Sequence, residues 1–210
     1  MNYLKYLVHL VVLSSICAAS AGSFDDFFRA VRGDNANAVT ALLARGFDPN
    51  AHDEKGQTAL GLAVRERSDH VVDALLKHPQ LDVNQRNSVG ETALMFAALQ
   101  GRLELVDRLI AHRANVTQDG WNPLHYAATG PEPKVVALLL RKGAPIDARS
   151  PNGTTALMMA ARHGSEQSVT LLLERGADAT VRNERGMNAA DFARSTGRDA
   201  LAKRLESRLQ

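Results

Sequence analysis

The chain has 210 residues, 45% hydrophobic and 23% charged, with 25 lysines and arginines against 23 aspartates and glutamates. That composition excludes a disordered chain, and a net charge of +2 is too small to mark nucleic acid or an anionic membrane as a bulk electrostatic partner. A single cysteine excludes an internal disulfide and a cysteine-rich zinc site.

The N-terminus opens on Lys5 and a run from Tyr6 to Ile16 in which only His9, Ser14 and Ser15 are polar. Ala19-Ser20-Ala21 follows, and charge returns at Asp25 and Asp26. A cationic start, a short apolar run and a small-x-small site are the parts of a secretory signal peptide. The run is shorter than the roughly 20 apolar residues that a spanning helix needs. An uncleaved anchor and a chance apolar start are the other readings. A lipid anchor is disfavoured because Ile16, not a small residue, precedes Cys17. Cleavage after Ala21 removes the only cysteine, so the exported chain has no thiol to mispair in an oxidising compartment. The expected location is the periplasm of a Gram-negative bacterium.

The rest of the chain repeats. Ala30, Ala63, Ala97, Ala127, Ala160 and Ala193 are separated by 33, 34, 30, 33 and 33 residues, and Gly56, Gly90, Gly120, Gly153 and Gly186 keep the same rhythm. Similar phrases end on four of these alanines: Thr58-Ala-Leu-Gly-Leu-Ala63, Thr92-Ala-Leu-Met-Phe-Ala97, Asn122-Pro-Leu-His-Tyr-Ala127 and Thr155-Ala-Leu-Met-Met-Ala160. Leu42, Leu75, Leu109, Leu139 and Leu172 each follow a marker alanine by twelve residues.

One unit reads as two helices and a turn. Thr58, Thr92 and Thr155 are placed to N-cap the first helix, and Pro123 stands at a first helical position, where its missing N–H costs nothing. Gly101, Gly164 and Gly197 are expected in the left-handed conformation that ends that helix. A second helix carries one apolar stripe, as in Val71, Val72, Leu75 and Leu76, and Gly46, Gly143 and Gly176 end it. Asp53, Asn87, Ser150 and Asn183 each stand three residues before a glycine, a type I turn preference, clearest in Ser150-Pro-Asn-Gly153. One unit cannot bury its stripe alone, so the units must stack.

The phrases and spacing resemble the ankyrin repeat, whose signature is Thr-Pro-Leu-His-x-Ala in about 33 residues. The resemblance covers about residues 24 to 208 and implies an all-α repeat solenoid, with paired antiparallel helices joined by short hairpin-like fingers. The expected organisation is one domain over 22–210, cut into repeats at 22–52, 53–86, 87–117, 118–149, 150–182 and 183–210. The first and last repeats are divergent caps that turn a polar face to water.

Two steps depart from the period. An extra residue in Lys77-His78-Pro79-Gln80-Leu81-Asp82 replaces the glycine that ends the second helix, a tolerated loop variation. In the 30-residue repeat the step from Thr117 to Gly120 is three residues where the corresponding step in the other repeats is six, so this finger is truncated. Trp121, the only tryptophan, follows it directly. Either Trp121 lines the resulting notch for a partner, or it folds over to fill the gap.

No nucleophile elbow, phosphate-binding glycine loop or His-Glu-x-x-His pair is present. The histidines of the exported chain are scattered over the repeats, not gathered as a close ligand set, and His125, at the family's phrase position, is expected to hydrogen-bond backbone. No catalytic residue, cofactor or metal site is expected; the competing class is an enzyme using surface carboxylates and histidines. The resemblance implies instead a monomeric scaffold that binds another protein through finger tips and first-helix positions. Carried over by register, these are Gln57, Arg65, Glu66, Val89, Glu91, Leu99, Gln100, Trp121, Thr129, Asn152, Thr154, Arg162, His163 and Met187. Val89, Leu99 and Trp121 form an apolar middle between Arg65 and Arg162, like an interface core with a polar rim. The expected action is to mask, protect or stabilise a partner, or alternatively to inhibit a toxin or exported enzyme as an immunity protein.

Overall fold

The computed structural model of the protein describes residues 22–208. The signal peptide expected over residues 1–21, and Cys17 with it, lie outside the described residues. Among these residues no helix is long and apolar enough to cross a membrane. The secondary structure is helical, with an isolated bridge between His52 and Thr58 as the only strand pairing among the described residues. The chain divides between Asp82 and Val83 into two compact units.

In the first unit, residues 22–32 form helix α1, followed by α2 (Ala36–Ala44), α3 (Ala59–Glu66) and α4 (Asp69–Leu76). Thr58 caps α3 by accepting from the Gly61 N–H at 3.0 Å. The stripe of α4, Val71, Val72, Leu75 and Leu76, is buried, and α4 packs on both α2 and α3. Four phenylalanines close the first repeat: Phe27 stacks on Phe47 with centroids 4.2 Å apart, and Phe24 lies 5.0 Å from Phe28.

In the second unit the helices alternate between two rows. The first row is α5 (Ala93–Leu99), α7 (Pro123–Thr129), α9 (Ala156–Arg162) and α11 (Ala189–Arg194), each packed on the next. The second row is α6 (Leu103–Ala111), α8 (Pro133–Arg141) and α10 (Glu166–Glu174), likewise packed in order, and α12 (Asp199–Glu206) packs on α11. The marker alanines Ala97, Ala127, Ala160 and Ala193 are fully buried, and their small side chains let the two rows approach. Thr92 and Thr155 cap α5 and α9 through their hydroxyls, Asn122 and Asn188 cap α7 and α11, Pro123 opens α7 as the sequence predicts, and Pro133 opens α8.

Gly101 and Gly197 take the expected left-handed conformation, with φ of 68° and 74°. Gly164 does not, and its reason is different. A Cβ there would stand 2.1 Å from the carbonyl oxygen of Ala128, at the end of α7. Gly130 likewise sits where a Cβ would meet the Ala98 and Leu99 oxygens at 2.9 and 2.7 Å. In the last repeat the corresponding carbonyls of α9 are met by Arg198, whose Nη1 donates to Ala160, Ala161 and Gly164 at 3.1, 2.9 and 3.0 Å. The orphan carbonyls that end a helix are thus covered by the following repeat.

Successive repeats are also stapled by side chains on their connecting loops. Asn50 donates to the Gln80 carbonyl at 2.8 Å and accepts from the Asp82 N–H at 2.8 Å. Asn84 does the same to Arg113 and Asn115, at 3.0 and 2.7 Å. Asp147 accepts from the Asp178 N–H at 3.1 Å.

Candidate functional site

Each full finger closes on itself. The N–H of its first residue donates to the carbonyl four residues on: Asp53 to Gln57 at 2.8 Å, Asn87 to Glu91 at 2.9 Å, Ser150 to Thr154 at 2.9 Å and Asn183 to Met187 at 3.0 Å. The first side chain then accepts the N–H of that fourth residue, as Asn87 Oδ1 does from Glu91 at 2.8 Å. The short finger has no room for this pattern. There, Gln118 Nε2 donates to the Trp121 carbonyl at 2.7 Å and to the Gly90 carbonyl of the preceding finger at 3.1 Å. A side-chain amide supplies what the deleted backbone supplies elsewhere, and it fixes the chain immediately before α7.

That places Trp121 edge-on to His125, with centroids 5.2 Å apart. His125 is 1% exposed and both ring nitrogens are used: Nδ1 accepts from the Asn122 N–H at 3.3 Å and Nε2 donates to the Thr154 carbonyl at 3.0 Å. Burial lowers its pKa below that of a free histidine, so it is neutral, and it bonds backbone as expected. Tyr126 donates to Glu91 Oε1 at 2.7 Å, and burial together with that carboxylate pushes the phenol well above its usual range. Thr129 donates to the His125 carbonyl at 2.9 Å.

Leu99, Trp121, His125, Tyr126, Thr129 and Met159 line one cleft of about 240 Å³ on the first-row helices α5, α7 and α9. Trp121 is half-buried along its wall. Three of the residues named from the sequence, Leu99, Trp121 and Thr129, are therefore brought together. Tyr126 and Met159 were not named, although they stand one residue before a marker alanine, where Phe96 and Phe192 are 7% and 6% exposed. The repeat register is the signal that finds them; they are half-buried where their counterparts are buried.

The remaining named residues fall in several groups. In the first unit Arg65 donates to Gln57 Oε1 at 3.1 Å and lies 3.4 Å from Glu66, so these three form one polar chain. In the second unit Val89 is 74% exposed on its finger, and Glu91 is held by Tyr126 and by Asn87 Nδ2 at 2.8 Å. Gln100 and Met187 are half-buried, while Asn152, Arg162 and His163 are exposed. Arg162 lies over the Phe192 ring, 5.9 Å from its centroid. Thr154 differs from the exposure expected of it: it is 1% exposed, because its backbone closes the finger and accepts from His125.

A second cleft, of about 320 Å³, lies in the first unit among Phe24, Phe28, Arg29, Arg32 and the finger Asp53–Lys55. Within it Arg32 pairs with Asp53 at 2.7 Å. Among the described residues no group of three or more histidines, cysteines or carboxylates could hold a metal.

The two stacked rows of helices in the second unit, with an apolar cleft whose His125, Tyr126 and Thr129 side chains are already hydrogen-bonded, define a helical-repeat protein. The ankyrin-repeat family, in a model of three copies, matches residues 27–118, 78–150, 114–183 and 132–205. The chain belongs to the ankyrin-repeat family. It is 35% identical over 133 residues to the B-cell lymphoma 3 protein homolog of Mus musculus, and 32% identical over 143 residues to inversin of Canis lupus familiaris. Those matches take in 60% and 66% of this chain but 30% and 13% of the relatives, so the likeness is to their repeats. Among solved structures, the chain resembles one in the complex of a predatory endopeptidase from Bdellovibrio bacteriovorus with an immunity protein. The TM-score is 0.73 and the identity 28%, over 87% of this chain and 97% of that one.

Proposed function

We propose that the protein is a non-catalytic binding scaffold of the immunity type, a monomer that masks an exported bacterial enzyme by covering part of its surface. The observation that carries this reading is the extent of the likeness to the chain from the endopeptidase–immunity complex: 97% of that chain is matched, whereas the large curated relatives are matched only in their repeats. A peptidase is therefore the first class of partner to test. The leader expected at residues 1–21 supports an encounter in the periplasm, where a binder without cysteine needs no oxidative folding. In the second unit the contact surface is the first-row face, with Leu99, Trp121, Thr129 and Arg162; in the first unit the candidate contacts are Gln57, Arg65 and Glu66.

Affinity capture from a periplasmic extract, followed by assay of the captured enzyme, tests the reading. The expected result is a stoichiometric complex in which the enzyme's activity falls in proportion to added chain. An enzyme that stays fully active but resists heat or oxidation in the complex favours protection over inhibition. Turnover of a substrate by the chain alone overturns the scaffold reading.

A further inference from the structure

Resting on the partner-binding reading above, we propose that the cleft between Leu99, Trp121 and Met159 is a socket for one large, wholly apolar side chain of an extended partner segment. A carboxylate two residues away in that segment pairs with Arg162.

The size of the cleft sets the first limit. At about 240 Å³ it exceeds the roughly 150 Å³ apolar cavity known to hold a benzene ring, so it takes one phenylalanine, leucine or methionine side chain and little more. Its chemistry sets the second. The polar side-chain groups of the helical residues that line it are spent inside the chain: both nitrogens of His125, the Tyr126 hydroxyl on Glu91, and the Thr129 hydroxyl on the His125 carbonyl. A hydroxyl or amide entering the cleft would give up water and find no partner, so the socket rejects polar tips and sugars. One donor remains at the edge. The indole N–H of Trp121 has no acceptor among the described residues and can serve the backbone of an entering segment.

The charge around the socket is uneven, and this gives the occupant its second feature. Arg162 lies three residues beyond Met159 on α9, hence on the same helix face and one turn along. It is exposed, steadied by the Phe192 ring, and no carboxylate among the described residues pairs with it. Glu91 presents an acidic side chain at the opposite wall, joined to it through Tyr126, and disfavours a second carboxylate there. An acidic residue is therefore favoured on the Arg162 side alone. In an extended segment, side chains two residues apart project from the same face, about 6.8 Å from each other. That matches an apolar anchor in the socket with a carboxylate one helical turn away.

The test uses the chain after leader removal and capped 11-residue peptides of serine and threonine, with Phe-x-Glu or Glu-x-Phe at the centre. Emission from Trp121, the sole tryptophan, reports occupancy. A saturable response is expected to one of the two orders. Replacing the peptide's phenylalanine by alanine should weaken binding at least tenfold, and replacing its glutamate by lysine at least fivefold. Arg162→Glu should reverse the preference for glutamate over lysine, and Leu99→Lys, at a position 37% exposed, should abolish binding with the far-UV spectrum retained. No saturable response to either order, equal binding of phenylalanine and serine peptides, or an unreversed preference in Arg162→Glu overturns the proposal. So does a dimer of the chain that Leu99→Lys converts to monomer, since a second copy would then be the occupant. If an enzyme is inhibited while the peptides fail, the socket is wrong and the masking reading stands. If the peptides bind selectively and no enzyme is inhibited, the reverse holds.

Discussion

Gln118 donates from Nε2 to the carbonyl of Trp121 at 2.7 Å. In the full fingers the same carbonyl position accepts from a backbone N–H. The short finger keeps its closure only because a glutamine stands where its amide also reaches Gly90. Gln118→Ala should therefore leave two carbonyls without that donor and cost about 1–2 kcal/mol in urea unfolding. Because the lost bonds hold the chain beside Trp121, its emission should shift to the red before the global transition. A variant with unchanged stability and emission would show that the amide is incidental.

Backbone strain makes a second, opposite-signed pair of predictions. Arg67 and Arg113 adopt φ of 61° and 68°, at repeat positions where Gly101 or Gly197, and Gly46, Gly143 or Gly176, stand in other repeats. Arg67→Gly and Arg113→Gly should each stabilise by about 1 kcal/mol, seen as a higher melting temperature, since a left-handed non-glycine residue stores strain. Gly164→Ala should destabilise by about 3 kcal/mol, because its Cβ falls 2.1 Å from the Ala128 oxygen and the two repeats must separate. Equal small effects from all three would contradict the distinction between conformation and close approach.

The pair Asp34–His70 predicts a pH dependence. Asp34 Oδ2 lies 2.6 Å from His70 Nδ1, and Oδ1 accepts from the Val71 N–H at 3.0 Å, clasping the start of α4 to the first repeat. The hydrogen bond and charge of Asp34, with Asp69 and Asp73 nearby, raise the His70 pKa above 6.5. Its contribution is thus full below about pH 6.5 and is lost as pH rises through the raised folded value. Partial burial opposes ionisation of Asp34, but its bonds to His70 and Val71 prevail and hold it below 3.8. That contribution is present above pH 3.8 and is lost as pH falls through the folded value. Melting temperatures of wild type and His70→Ala should differ at pH 6 and converge toward pH 9, with a smaller gap in high salt. A gap that is constant across this range would contradict the clasp.

The connecting-loop asparagines make a simpler prediction. Asn84→Ala removes both the bond to Arg113 and the bond from Asn115, and should cost about 1 kcal/mol without altering helix content. No change in the unfolding midpoint would mean that water replaces the staple.

Much of the fold was legible because each cue acts locally. Thr58, Thr92 and Thr155 cap helices by bonding to the residue three positions on, and Pro123 fits a first turn whatever surrounds it. What was not legible depends on the neighbouring repeat. Gly164 was expected to be left-handed like Gly101, yet its need comes from Ala128, 36 residues earlier. Arg198 answers carbonyls of α9, and Gln118 replaces a backbone group that exists only in other repeats. The cleft was half legible: the truncated finger pointed to Trp121, and the register gave Leu99 and Thr129. The exposure of Tyr126 and Met159 and the burial of Thr154 follow from how α5, α7 and α9 lie together.

The central claim is that the face around Trp121 makes the partner contact, and the indole N–H resonance of Trp121 tests it most directly. One tryptophan gives one indole peak in a ¹H–¹⁵N spectrum of the whole chain. On forming the complex with the captured enzyme, that peak should shift and cease to exchange with water. A complex that forms at full strength while the indole peak stays in place, still exchanging, would contradict the account.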